Sequence, residues 1–351
     1  AEWDPANYLQ ELVNIYEAET GVKVTVETTP WSDFQTKAFT EFNAKGSAYD
    51  MVVGDSQWIG AASEAGHYVD MTEFFNKHDL TKVMAPATVK YYAEYPAASG
   101  KYWSIPAEGD AVGWSYRKDW FEDPKEMEAF KAKYGYDLGV PVNWSAYEDI
   151  AEFFTGRDLS HMGVDGEIYG NMDYGKKDPS LGCRYTDAWM SMAGMGDKGE
   201  PNGLPVDEWG IRVNENSQPV GSCVARGGAT NSPAAVYAVT KAIEWLEKYS
   251  PPAAAGMTFS EAGPVPAQGA VAQQMFWYTA FTAATVEPDL PVMNEDGTPK
   301  WRMAPSPHGV YWKDGQKVGY QDVGSWTLMK STPVDRAKAA WLYAQFVTSK
   351  T

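Results

Sequence analysis

Asp4–Thr29 reads DPANYLQELVNIYEAETGVKVTVETT, and its two halves follow different periods. Tyr8, Leu9, Leu12, Val13 and Tyr16 recur at helical spacing behind an Asp4 N-cap, with Pro5 at the first helical position. Gly21 then stops the helix, and Val22–Thr29 alternates β-branched with polar residues, which predicts a strand. The same alternation of elements continues. Ser32 is placed to cap a second helix ending near Gly46, and YDMVVG (Tyr49–Gly54) is a short apolar run of the buried-strand type. A helix through Trp58–Ala65 follows and ends at Gly66. Helices alternating with strands imply right-handed crossovers and an α/β fold with mostly parallel sheets. Such a domain normally opens on a strand, and only Ala1–Trp3 precede the Asp4 cap. Several residues of a first strand are therefore expected ahead of Ala1.

Farther along, a helix is expected near Lys82–Tyr95, one over Asp123–Gly135 and a Ser-capped one over Asn143–Phe154. Glu167–Gly175 reads as a strand entering a polar, aromatic loop. Pro233–Tyr249, capped by Asn231 or Ser232, reads as a strong helix, and Gly269–Ala284 is apolar enough to be a buried one. Trp301–Gly309 and Tyr320–Thr332 read as strand segments, and an amphipathic helix follows Pro333. No internal repeat or low-complexity tract is present.

At 351 residues the chain is long enough for two domains, and 44% hydrophobic content supports packed cores. A net charge of −18 argues against nucleic acid and against electrostatic docking on anionic lipid. No apolar run approaches the roughly 20 residues that span a membrane, and no signal peptide stands in the sequence. The four histidines have no metal-ligand spacing, so no metal site and no cofactor are expected. Cys183 and Cys223 are the even pair that a disulfide in an exported protein would use, and two unpaired buried thiols are the alternative.

Nucleophile elbows, P-loops, zinc-protease helices and dinucleotide fingerprints are all missing from the sequence. Glu108 and Asp110 stand at i and i+2, roughly 7 Å apart on one face of an extended chain. That separation suits a glycosidase acid/base pair, which needs about 5–10 Å, so a carbohydrate-active hydrolase is one alternative. The stronger pattern is distributed. EWDPAN, TPWSDF, VGDSQW, AEGD, MDYG, QQMFWY and YQDVGSW put acids and amides beside aromatic rings where secondary elements end. In α/β sheets ligands bind outside the carboxyl ends of strands. Aromatic platforms with carboxylate and amide acceptors suit a sugar or polyol, whose C–H faces stack while its hydroxyls hydrogen-bond. Each such tryptophan can equally be an ordinary core residue.

YDMVVGDSQWIGAASEAGHYVDMTEFF (49–75), KYWSIPAEGDAVGWSYRKDWF (101–121), Trp277, GYQDVGSWTLMKST (319–332) and RAKAAWLYAQFVTSK (336–350) resemble extracellular solute-binding proteins of family 1. These are carbohydrate receptors of ABC importers, and several further segments are similar to a group associated with glycerol and related polyols. The resemblance implies two α/β lobes joined by crossing strands and closing on a ligand held between them. It places residues 1–108 and 302–351 in lobe one and 109–301 in lobe two, with crossings at Ile105–Trp114 and Met293–Pro305. It implies a periplasmic, monomeric receptor without catalysis that hands a neutral sugar or small polyol to a membrane permease. Trp3, Asp4, Trp31, Asp55, Ser56 and Gln57 would lie on the rim of lobe one. Glu108 and Asp110 would lie at the hinge, and Tyr174, Arg226, Trp277 (on a helix) and Tyr278 on lobe two. Asp322 and Trp326 would return to lobe one. The family continues past the last helix seen here, so its first strand and C-terminal helices are expected outside this sequence. A ligand-sensing domain serving a signalling partner is the remaining alternative.

Overall fold

A computed structural model describes residues 2, 4–107, 109–184, 210–214, 218–278, 283–307, 321–322 and 324–349. The chain forms two compact units, Ala1–Asp110 with Gln321–Thr351, and Ala111–Tyr320.

In unit one, helix α1 (Asp4–Thr20) ends before Gly21, whose φ of 71° lies in the left-handed region that glycine tolerates. Helix α2 (Trp31–Ala44) follows. Ser32 does not cap it: Pro30 holds the N-cap position, and no side chain caps the helix. The sheet is β1 (Met51–Asp55), β9 (Gly324–Leu328) and β2 (Ile105–Pro106), with β9 in the middle and antiparallel to both. One face of the sheet meets Val13, Tyr16, Phe75 and Tyr343, and Tyr16 and Tyr343 pack edge-to-face at 5.3 Å. The other meets Phe42, Trp58 and Tyr68. Val22–Thr29 enters no strand ladder among the described residues, although Val22, Val24 and Val26 are half-buried and Lys23, Thr25 and Glu27 exposed.

Unit two is built on β3 (Asp110–Arg117), flanked by β6 (Gln273–Trp277) and β7 (Trp301–Ala304), both antiparallel to it. A small hairpin, β4 (Arg212–Val213) with β5 (Pro219–Gly221), stands apart from this sheet. These ladders are antiparallel. Parallel pairing appears as two isolated bridges, Tyr169 to Val271 and Met172 to Gln274, where Glu167–Gly175 was expected to be a strand. The core gathers Trp114, Trp120, Phe130, Tyr147 and Phe154. The second unit extends to Tyr320, and β8 (Gln321–Asp322) opens the second segment of unit one, where the resemblance implies a boundary at 302.

The buried helix expected over Gly269–Ala284 is instead β6, with all five side chains buried. A short apolar run carries no period that separates a doubly covered strand from a helix.

Capping decides several helices. Asp123 accepts from the N–H groups of Lys125 and Glu126, with Pro124 at the first helical position and Gly135 closing the helix at φ 83°. Asn143, rather than a serine, caps Trp144–Phe154 by accepting from Ala146 N at 2.9 Å. Ser232, rather than Asn231, caps Pro233–Tyr249. Asn143→Ala leaves an unsatisfied N–H and is expected to cost about 1 kcal/mol in denaturant unfolding. An unchanged midpoint would show that water replaces the cap.

Candidate functional site

In unit one, the end of β1 carries the best-formed polar feature. Asp55 is 6% exposed. Its Oδ1 accepts from Gln57 N at 2.7 Å and from the Ser56 hydroxyl at 3.4 Å, starting the Ser56–Trp58 turn. Its Oδ2 is buried with no hydrogen-bond partner among the described residues. Burial pushes the carboxyl up to about 6, against the pull of the Gln57 N–H and the Ser56 hydroxyl. Leaving such an acceptor unsatisfied costs about 1–3 kcal/mol. Ser56 is half-buried and Gln57 exposed beside it. Trp31, half-buried at the start of α2, stacks on Trp58 at 6.3 Å and 17°, and it lines the same cavity as Asp55 and Trp326. Trp326 is in the core, edge-on to Tyr343.

Sequence reasoning missed Tyr68. Its hydroxyl is buried where a Cβ on Gly54 would come within 2.9 Å of it, and burial, together with the Asp55 charge, raises its pKa. Tyr68 reaches this place because its segment pairs at the end of β9, bridging Met329 with Val69 N–H donating to Leu328 C=O, and no local sequence signal announces that.

Asp110, which closes the first segment of unit one, is buried at the start of β3. Tyr174 is fully buried and donates its hydroxyl to Ser180 O at 3.0 Å. Trp277, expected on a helix, ends β6 at 5% exposure, edge-on to Phe259 and Phe276. Tyr174, Phe276 and Trp277 therefore share one aromatic cluster. Tyr278 is half-buried and donates to Ala304 O at 2.8 Å, and a Cβ on Gly113 would collide with its hydroxyl. Arg226 is exposed in the Val224–Arg226 turn. Gln274 and Ser115, cross-strand neighbours missed by sequence reasoning, each bury side-chain polar atoms without hydrogen-bond partners among the described residues.

Trp3 and Glu108 lie outside the described residues, as do the side chains of Asp4, Cys183 and Asp322. Cys223 is a free, half-buried thiol.

One cluster among the described residues has metal-ligand composition, Asp123, Glu126 and His161, with ligand atoms within 4.8 Å of one another. Its bonding is that of an ion-pair network. Fully buried Glu126 pairs with Arg157 at 2.6 Å. Lys125 Nζ, which can only donate, lies 3.4 Å from His161 Nδ1, and His161 Nε2 faces Asp123 Oδ1 at 3.3 Å.

Comparison with known proteins bears out the sequence resemblance. Residues 2–161 match the family described as bacterial extracellular solute-binding protein. The fold is that of two-lobed solute-binding proteins. A solute-binding protein of an ABC transporter from Agrobacterium radiobacter K84, in complex with ribitol, is 20% identical at a TM-score of 0.72, covering 98% of this chain and 73% of that one. Maltose-bound MalE3 of T. maritima is 19% identical at a TM-score of 0.71, covering 99% and 75%. The Agrobacterium vitis S4 protein with bound D-mannitol is 16% identical at 0.64, covering 98% and 70%. No curated protein matches the chain.

Proposed function

We propose that this chain is an extracytoplasmic receptor that captures a neutral sugar or small polyol, such as glycerol, and delivers it to the permease of an ABC importer. The observation that carries this reading is the family match over residues 2–161, joined to a fold shared with proteins whose structures hold ribitol, maltose and mannitol. The chemistry agrees with it. The buried Asp55 Oδ2 awaits a donor, and a hydroxyl is a neutral donor that brings no charge to desolvate. An anionic solute would face that carboxylate and a net charge of −18. Binding requires no covalent step, so the protein acts as a carrier rather than an enzyme, and it works as a periplasmic monomer. No helix among the described residues is long and apolar enough to cross a membrane.

Titration calorimetry against glycerol, ribitol, mannitol, monosaccharides and maltose tests the proposal. At least one neutral polyol or sugar is expected to bind saturably with 1:1 stoichiometry and to be recovered unchanged. Recovery of a hydrolysed oligosaccharide would overturn the carrier reading, and heat only from charged solutes would overturn the ligand class.

A further inference from the structure

In unit two, the start of the Pro124–Tyr134 helix and the Ser160–Met162 turn bring three ligand-type side chains together. Asp123 holds the N-cap position, Glu126 stands in the first turn, and His161 faces both from the Ser160–Met162 turn. Packing fixes each support. Phe130 is fully buried on the helix, and Leu159, 1% exposed, roots the turn in the core. Met162 N–H closes the turn on Leu159 C=O at 2.9 Å.

One oxygen of this cluster is left over. Glu126 is fully buried, and Arg157 occupies its Oε2 at 2.6 Å. Its Oε1 is buried without a hydrogen-bond partner among the described residues. That oxygen faces His161 Nε2 at 3.7 Å, beyond hydrogen-bond reach. The same nitrogen lies 3.3 Å from Asp123 Oδ1, longer than the roughly 2.7–2.9 Å of a charge-assisted bond. Both separations suit a shared cation. Zinc bonds of about 2.0–2.2 Å to nitrogen and oxygen, at tetrahedral angles, set neighbouring ligand atoms about 3.3–3.6 Å apart.

We propose that Asp123, Glu126 and His161 bind a divalent transition-metal ion of the zinc class, which pins the Ser160–Met162 turn to the start of the helix. Glu126 binds through Oε1 while Arg157 holds Oε2, the outer contact that orients a ligating carboxylate. Asp123 keeps its cap, because a carboxylate offers about four lone-pair sites and the Lys125 and Glu126 N–H groups take two. His161 binds through Nε2 as a neutral imidazole with its proton on Nδ1. Lys125 Nζ, 3.4 Å from Nδ1 on an exposed side chain, then turns away into solvent. Water takes the fourth position, since the His161 and Asp123 side chains reach the surface at 27% and 19% exposure. The donor set selects the metal. Calcium takes six to eight oxygens and magnesium a near-ideal octahedron of them. One imidazole with two carboxylates suits zinc. The Arg157 and Lys125 charges beside the site weaken it relative to one without neighbouring cations.

The test titrates Zn²⁺ alone into the whole chain and into two variants, Asp123→Asn and His161→Gln. Asparagine caps a helix as well as aspartate does, and His161 is at the surface, so without zinc both variants are expected to melt within about 3 °C of wild type. Wild type is expected to bind zinc saturably at this site and to melt about 5–10 °C higher at free zinc a hundredfold above Kd. Amide exchange at Met162 and Gly163 is expected to slow at least about threefold on zinc addition. Each variant is expected to bind at least about tenfold more weakly and to lose the exchange effect. No saturable zinc binding by wild type would overturn the site, and wild-type affinity in either variant would place the ion elsewhere. Tighter binding of Ca²⁺ than of Zn²⁺ would overturn the metal class.

Discussion

Trp277→Ala is expected to destabilise unit two by about 3–5 kcal/mol, the range for emptying a buried Trp site. The ring is 5% exposed at the end of β6, with Val112 opposite it on β3. Phe259 and Phe276 meet it edge-on at 5.1 and 5.7 Å. Each such aromatic pair adds about 0.5–1.5 kcal/mol to the area term. The remaining rings cannot close on the space, because β6 is buried on both faces and laddered to β3. Trp277→Phe keeps part of these contacts and is expected to lose about half as much. Calorimetric melting, with amide exchange over 273–277 to assign the transition to unit two, measures both variants. Solute affinity of the folded fraction is expected to change far less than stability. A Trp277→Ala protein that melts normally but has lost its affinity would instead make this ring a stacking platform for the solute.

That prediction reverses the emphasis a sequence places on Trp277, and the reason is physical. Local signals were legible: proline at the first helical position located α1, Asp123–Gly135 and Pro233–Tyr249, and glycine stops closed the first two, because capping is settled within one turn. YDMVVG was legible as β1 because a short apolar run bounded by turn residues has few other uses. QQMFW was not, since a strand buried on both faces shows no alternation. Val22–Thr29 shows the opposite failure. Its alternation was read correctly, and its side chains do alternate in burial, but a ladder needs a partner that periodicity cannot supply. The candidate site divides the same way. Asp55 was singled out from VGDSQW, and a buried oxygen without a partner among the described residues agrees with that choice. Tyr174 looked the same in MDYG, yet its hydroxyl is satisfied by Ser180 O inside the core. Whether a polar atom in a loop is satisfied depends on tertiary partners and is not written in the loop itself.

Asp55→Asn is expected to move stability and affinity in opposite directions. The folded carboxyl sits at about 6 because burial disfavours its charge, against about 3.9 in an unfolded chain. A folded pKa above the unfolded one gives stability that is complete below about pH 4 and lost as pH rises through about 6. The solute-free wild type should therefore weaken across that window by on the order of 2–3 kcal/mol. The substituted amide carries no charge and keeps an acceptor for the Gln57 N–H, so the variant should lose this slope. The buried amide N–H groups offset part of the gain, leaving the variant about 1–2 kcal/mol more stable than wild type at pH 7.5. Binding follows the other sign. An ionised Oδ2 accepts a solute hydroxyl better than a protonated one, so wild-type affinity should rise between pH 5 and 7 while the apo protein grows less stable. Removing a hydrogen bond to a charged acceptor costs about 1.5–3 kcal/mol, which is roughly 10- to 150-fold in Kd at pH 7.5. Calorimetric melting and titration across pH 4–8 read both quantities on the same samples. A variant with wild-type affinity and a flattened stability profile would show that Asp55 is strained by burial alone and takes no part in holding the solute.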